Sequence, residues 1–131
     1  MILLDTDICI EILRGNTRVL AARRRTREEV AISFMTVGEL YFGAFRSARP
    51  AENSSLIELF LLSVSVIESA PDIMKHFGAL KDQLGKAAKL VPDADLLIAA
   101  TCLKRCSLLV TGNTRHFNRF PGLPLEDWTK A

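Results

Sequence analysis

A chain of 131 residues, 49% of them hydrophobic, suits one domain around one core, since a domain of this size buries roughly two-thirds of its extended surface. A formal net charge of +2 is too small to mark a nucleic-acid binder by itself. The longest apolar stretch, residues 56–67, is interrupted by Glu58 and falls short of the about 20 residues that a bilayer span needs, so no membrane partner is expected.

In chain order, short apolar runs alternate with helical periods, which is the pattern of an α/β fold with parallel strands and crossover helices. Residues 1–5 read as a buried strand. No basic region precedes this strand and no small-residue cleavage site follows it, which argues against a signal peptide and for a cytoplasmic protein. Residues 7–14 read as a short helix with Asp7 as its N-cap and Gly15-Asn16 as its stop. Residues 17–27 form a second, Arg-rich helix, 30–34 a strand, and 36–47 a helix that ends near Pro50. A helix over 51–62 leads to a strand over 64–67, after which Pro71-Asp72 opens an amphipathic helix reaching about Lys89. Pro92-Asp93 opens a helix through Arg105, residues 108–111 make another buried strand, 114–119 a turn or two of helix, and 123–128 an edge element. No repeat or linker breaks this order, so residues 1–131 are expected to form a single domain.

Three acidic segments stand where an apolar run meets a helical one: Leu3-Leu4-Asp5-Thr6-Asp7, Thr36-Val37-Gly38-Glu39-Leu40 and Pro92-Asp93-Ala94-Asp95-Leu96. A fourth polar junction is Val110-Thr111-Gly112-Asn113-Thr114. Such junctions gather at the carboxyl edge of a parallel sheet, so residues distant in sequence can share one acidic pocket. Each acid also has a local explanation. Asp5, Asp7 and Asp93 can cap helices, Asp95 can serve a helix dipole, Thr36-x-x-Glu39 is a capping box, and Asn113 fits an ordinary turn. Capping uses one residue per junction, however, and two junctions carry two acids.

Three carboxylates about 5 Å apart repel by roughly 3 kcal/mol per pair at an effective dielectric near 20, so a cluster persists only with a cation or a retained proton. Oxygen-only ligands select hard ions such as Mg²⁺ or Mn²⁺. With the acids gathered, the remaining surface is more basic than the net charge, with Arg23, Arg24, Arg25 and Arg27 as its densest run. An acidic hole in a basic surface suits a polyanion cut with the help of bound cations; the same run also reads as a solvated helix face. Thr111 is open to two readings, a phosphate contact or a buried strand-end hydroxyl. The three cysteines, Cys9, Cys102 and Cys106, have no framework spacing and fit a reducing compartment. Cys102 and Cys106 are spaced as zinc ligands could be, but no histidine completes a signature.

The acidic segments, taken in order with Asp95-Leu96-Leu97-Ile98-Ala99-Ala100, Leu109-Val110-Thr111-Gly112-Asn113-Thr114-Arg115-His116-Phe117 and the closing Phe120-Pro121-Gly122-Leu123-Pro124-Leu125-Glu126-Asp127-Trp128, resemble PIN-domain ribonucleases of the VapC toxin type over nearly the whole chain. The resemblance implies a three-layer α/β/α fold with a central, mostly parallel sheet and a metal-dependent endoribonuclease activity. Asp5, Glu39 and Asp95 match the family's acids, Asp5 and Asp95 as the main metal ligands, while Asn113 stands where many members have a fourth Asp. It further implies an RNA substrate, tRNA and rRNA being candidates, a VapB-type antitoxin whose C-terminal segment covers the groove, and a homodimer. Asp7 stands where the family commonly has Asn, and Cys106 where it usually has Gly, a position at which positive φ would strain a cysteine by about 1 kcal/mol.

Two rival readings remain. Asp5-Thr6-Asp7 after a strand also matches the nucleophile and acid of haloacid dehalogenase-type phosphatases, which would need Ser33 and Lys89 in supporting roles and would leave Glu39 without one. A non-catalytic binding module of the same fold is the other. The apolar run Leu40-Tyr41-Phe42-x-x-Phe45, with residues 56–62, offers more hydrophobic surface than one core face needs; it is either a protein interface or a deeply buried core.

Overall fold

Three consecutive apolar residues, Ile2–Leu4, form β1 and are buried on both faces, as a central strand of a parallel sheet requires. The computed structural model describes residues 1–87 and 89–130. After β1 the chain runs through α1 (Thr6–Leu13), α2 (Thr17–Arg25), β2 (Val30–Ser33), α3 (Phe34–Arg46), α4 (Pro50–Leu61) and β3 (Ser65–Ile67). It continues through α5 (Pro71–Lys86), α6 (Asp93–Arg105), β4 (Leu108–Val110), α7 (Thr114–Phe117) and β5 (Leu125–Glu126). The strand order is β3-β2-β1-β4-β5 and every pairing is parallel, more uniform than the mostly parallel sheet expected.

Strand alternation divides the core into two. Leu3, Ala31 and Leu109 face one side, where they join Ile73 and Leu80 of α5, Leu96 and Ile98 of α6, and Phe117 of α7. Ile2, Leu4, Ile32 and Val110 face the other, against Ile8, Val19, Leu40, Ile57 and Phe60 from α1 to α4. The result is three layers, helices on both faces of the sheet. From β1 the chain builds outward to β2 and β3, then returns to place β4 and β5 on the opposite side. The order therefore reverses between β1 and β4, and in such sheets the crevice beyond the carboxyl ends of those strands is left uncrossed by a connection.

Several element boundaries differ from the sequence expectation. Asp5 caps α1, accepting a hydrogen bond from the Thr6 N–H; Asp7 lies within the first turn, because the helix begins as soon as β1 ends. Asn16 does not stop α1: Gly15, at φ 79°, makes the reversal, and Asn16 caps α2 by accepting from Arg18 and Val19 N–H. Ser33 caps α3 through the Met35 N–H at 2.9 Å, so α3 starts two residues before Thr36. The helix α5 ends at Lys86; of its expected continuation to Lys89, residue 88 lies outside the described residues. Among the described residues no strand leads directly into Asp93, whose helix instead follows α5 and begins after Pro92, a residue with no N–H to leave unpaired. Cys106 ends α6 at φ −129°, an extended conformation that needs no glycine.

The ambiguous apolar run divides between core and surface. Leu40 is buried, while Phe42 and Phe45 are 62% and 69% exposed, alongside exposed Leu56, Leu59 and Leu62 of α4. Among the described residues no helix is long and apolar enough to cross a membrane. Arg23 is tied into the fold, donating to the Ser63 carbonyl at 2.6 Å, whereas Arg24, Arg25 and Arg27 are exposed.

Candidate active site

The carboxyl ends of β1 and β4 deliver the most buried of the acids. Asp5 follows β1 and is 6% exposed. Its Oδ1 accepts from the Thr6 N–H at 2.8 Å and its Oδ2 from the Thr111 hydroxyl, also at 2.8 Å. Thr111 follows β4 directly and is itself buried; its oxygen accepts the Asn113 N–H at 3.0 Å. Thr111 is thus the buried strand-end hydroxyl of the two readings. It ties the first acidic junction to the fourth across the reversal point of the sheet.

Asp7 points to the same junction from the first turn of α1. Its Oδ2 accepts the Gly112 N–H at 2.9 Å, and a Cβ at position 112 would lie 2.8 Å from that oxygen. Glycine is needed here for close approach rather than for an unusual φ. The other oxygen, Asp7 Oδ1, is buried without a hydrogen-bond partner.

Burial, and after it the charge of Asp7, pushes the Asp5 carboxyl up from 3.8 to about 7. Hydrogen bonds from Thr111 and Thr6 pull the other way, and Asp95 adds a smaller upward push. Asp7 is raised as well, first by burial, with the charge of Asp127 adding to it, against the stabilising hydrogen bond from the Gly112 N–H. Neutral donors oppose the shifts of both acids, and these are weaker than a cation would be. The Asp5 carboxyl therefore feels the charge of Asp7 more strongly than that of Asp95.

Glu39 sits on the second turn of α3. Its Oε1 is 2.7 Å from the Thr6 hydroxyl, which also lies 3.0 Å from the Thr36 hydroxyl. The one proton of Thr6 serves the carboxylate, and buried Thr36 completes the chain. Glu39 is thereby turned toward α1, away from the Thr36 backbone where a capping box would send it. Asp95 lies in the first turn of α6, and its Oδ2 is 2.8 Å from His116 Nε2. His116 belongs to α7, one turn beyond Asn113, whose exposed side chain makes no capping bond. Asp93, by contrast, is exposed and pairs with Lys81 at 3.1 Å.

The sequence pattern did not point to Thr6 or His116. Thr6 is visible only as the residue between two acids, and His116 only as a histidine that completes no zinc signature. Ser33, which a phosphatase would require as a phosphate ligand, is instead buried and committed to capping α3. Beside Glu39, an open apolar groove of about 320 Å³ runs between α1, α3 and α4, lined by Ile10, Leu13, Leu40, Ala44 and Ile57 among others.

The donor set bears on a metal ion. The acids present carboxylate oxygens, one carboxylate is buried and held above its usual range, and one buried carboxylate oxygen is unmatched. These features fit a hard divalent cation. Among the described residues, no three acidic, histidine or cysteine side chains converge tightly enough to hold an ion by themselves, so water or substrate would have to supply the remaining ligands, as is usual for Mg²⁺.

Comparison with known proteins gives a consistent result. The family model described as PIN domain matches residues 2–123. The chain is 35% identical to Ribonuclease VapC2 of Haemophilus influenzae, over 96% of each chain, and 32% identical to the tRNA(fMet)-specific endonuclease VapC of Shigella flexneri, over 97% of each. Among solved structures, VapBC2 from Rickettsia felis bound to a promoter DNA fragment contains a chain that superposes with a TM-score of 0.90 at 28% identity, covering 98% of this chain and 99% of that one.

Proposed function

The chain belongs to the PIN-domain family as a VapC-type ribonuclease, and from that premise we propose that it is a metal-dependent endoribonuclease toxin whose active site is Asp5, Glu39, Asp95 and Asn113. The observation that carries the assignment of the site is Asp5, a nearly enclosed carboxylate at the reversal point of the sheet, raised to about 7 and opposed only by neutral donors. Such a group is stabilised by a bound cation and strained without one.

Asp5 and Asp95 are the residues that would hold Mg²⁺ or Mn²⁺. When bound there, the ion would supply charge neutralisation at the scissile phosphate and acidity to the attacking water. Thr6 fixes Glu39 through Oε1, which leaves Oε2 to orient that water and accept its proton. Asn113, exposed at the N-terminus of α7, donates from its amide to a phosphate oxygen. Water adds across the phosphorus–oxygen bond and the departing ribose oxygen takes a proton, so no protein nucleophile is consumed. Thr111 and Gly112 act on the acids rather than on RNA, holding Asp5 and Asp7 in place.

The substrate is RNA, with tRNA and rRNA as the candidate classes, met in the cytoplasm. A VapB-type antitoxin restrains the enzyme by laying an apolar segment in the groove beside Glu39, and the exposed Phe42, Phe45, Leu59 and Leu62 serve a homodimer or the antitoxin. The deciding experiment is cleavage of total RNA by the purified, antitoxin-free protein. Cleavage with Mg²⁺ or Mn²⁺ and silence in EDTA is expected, and sequencing the new ends identifies the target. Activity that survives rigorous chelation removes the metal from the mechanism.

A further inference from the structure

His116 lies outside every acidic segment, yet its ring stands at contact distance from the Asp95 carboxylate. Nε2 stands 2.8 Å from Asp95 Oδ2, with the histidine side chain 20% exposed and the aspartate 26%. That nitrogen is fully enclosed, and it has no hydrogen-bond partner in good alignment. The contact is thus a close approach that a small turn of the Asp95 carboxylate would convert into a hydrogen bond. The ring has little freedom to make the adjustment itself. It meets Phe117 edge-on, with centroids 5.7 Å apart and planes at 90°. Phe117 is buried and packs against Phe120 at 5.9 Å. The His116 backbone N–H is held by the Asn113 carbonyl at 3.1 Å.

We propose that His116 is a positioning residue for Asp95, engaging Oδ2 from α7 so that Oδ1 is the oxygen presented to a divalent ion. The inference rests on the metal-nuclease reading above. Two features of the geometry favour it over a packing role. A histidine that served only to fill space would keep its polar nitrogen in water, where α7 leaves its neighbour Arg115; here the nitrogen is buried against a carboxylate. Helix α7 also carries Asn113 at its N-terminus, so one short helix sets the position of one proposed active-site residue and the orientation of another. Carboxylate ligands are ordinarily held by such outer hydrogen bonds, and loss of one weakens metal binding about 10- to 100-fold.

The test is calorimetric titration of the full-length, antitoxin-free protein with Mn²⁺, comparing wild type, His116→Ala and His116→Gln. Alanine is expected to weaken Mn²⁺ binding by about 10- to 100-fold. Glutamine, whose amide nitrogen donates from a similar reach, should restore most of the affinity, and both variants should keep the wild-type KM for RNA while kcat follows metal occupancy. Unchanged or tighter Mn²⁺ binding by His116→Ala overturns the proposal. So does equal weakening in both variants together with a lowered melting temperature in EDTA, which marks packing alone. If wild type itself binds no Mn²⁺ and cleaves RNA in EDTA, the metal-nuclease reading falls and this inference with it; equal binding by wild type and His116→Ala defeats this inference alone.

Discussion

The two Asp-x-Asp segments, Asp5-Thr6-Asp7 and Asp93-Ala94-Asp95, are alike in sequence and opposite in environment. In the first, the leading aspartate is the more buried, capping α1 beneath the strand ends and raised to about 7, while Asp7 is anchored by Gly112. In the second, the leading aspartate is the exposed one, paired with Lys81, and the trailing Asp95 turns inward to His116. The difference follows from what precedes each segment. A buried strand carries Asp5 into the interior of the sheet edge, whereas Pro92 starts α6 from the surface and only the first helical turn rotates Asp95 inward. A motif fixes the spacing of its charges, and the element that delivers it fixes their energy.

Replacing Asp5 is the severest way to break this comparison. Asp5→Asn is expected to reduce RNA cleavage about a thousandfold or more if Asp5 holds the proposed metal ion, measured under single-turnover conditions. In metal-free protein the same change should stabilise. The folded-state value near 7 lies above the unfolded value of 3.8, so the native protein retains a proton that the unfolded chain has released. Stability of the wild type should therefore fall as pH rises from about 4 to about 7 and level off above, by up to about 4 kcal/mol from this group. Thermal melts in EDTA across that range should show the slope in wild type and its loss in Asp5→Asn. A flat wild-type profile contradicts the buried, uncompensated carboxylate, and saturating Mg²⁺ should reverse the ranking of the two proteins.

Glu39→Gln comes next. The amide keeps the contact to Thr6 and removes the charge, so stability should stay within about 1 kcal/mol of wild type while cleavage falls at least about a hundredfold. Retained activity would reduce Glu39 to a structural partner of Thr6.

A smaller effect is expected from the glycine that lets the first segment pack. Gly112→Ala places a methyl 2.8 Å from Asp7 Oδ2 and should cost about 1 to 3 kcal/mol in urea unfolding. Combining it with Asp7→Ala should recover part of that loss, because the two changes share one contact. Strict additivity would show that the two residues do not meet.

The smallest effect belongs to the surface acid of the second segment. Asp93→Asn breaks an exposed pair with side chains 57% and 60% exposed, so stability should change by less than about 1 kcal/mol and cleavage should not change measurably. A loss comparable with that of Asp5→Asn would erase the distinction between the two segments.

Much of the molecule is legible from the chain itself. Apolar runs such as Ile2-Leu3-Leu4 and Leu108-Leu109-Val110 admit only buried strands, and the helical periods between them require parallel strands with crossovers, because local patterning is a property of neighbouring residues. The acids at the junctions could also be read, since strand ends are where such folds collect polar groups. Three-dimensional packing decided the rest. That Thr6 orients Glu39, that Gly112 receives Asp7, that Thr111 holds Asp5 and that His116 meets Asp95 are pairings between residues 21 to 106 positions apart. None leaves a periodic trace. Sequence pattern likewise could not rank Asp5 above Asp93, because burial depends on which layer covers a residue, and that is settled only when strands and helices from the whole chain close around it.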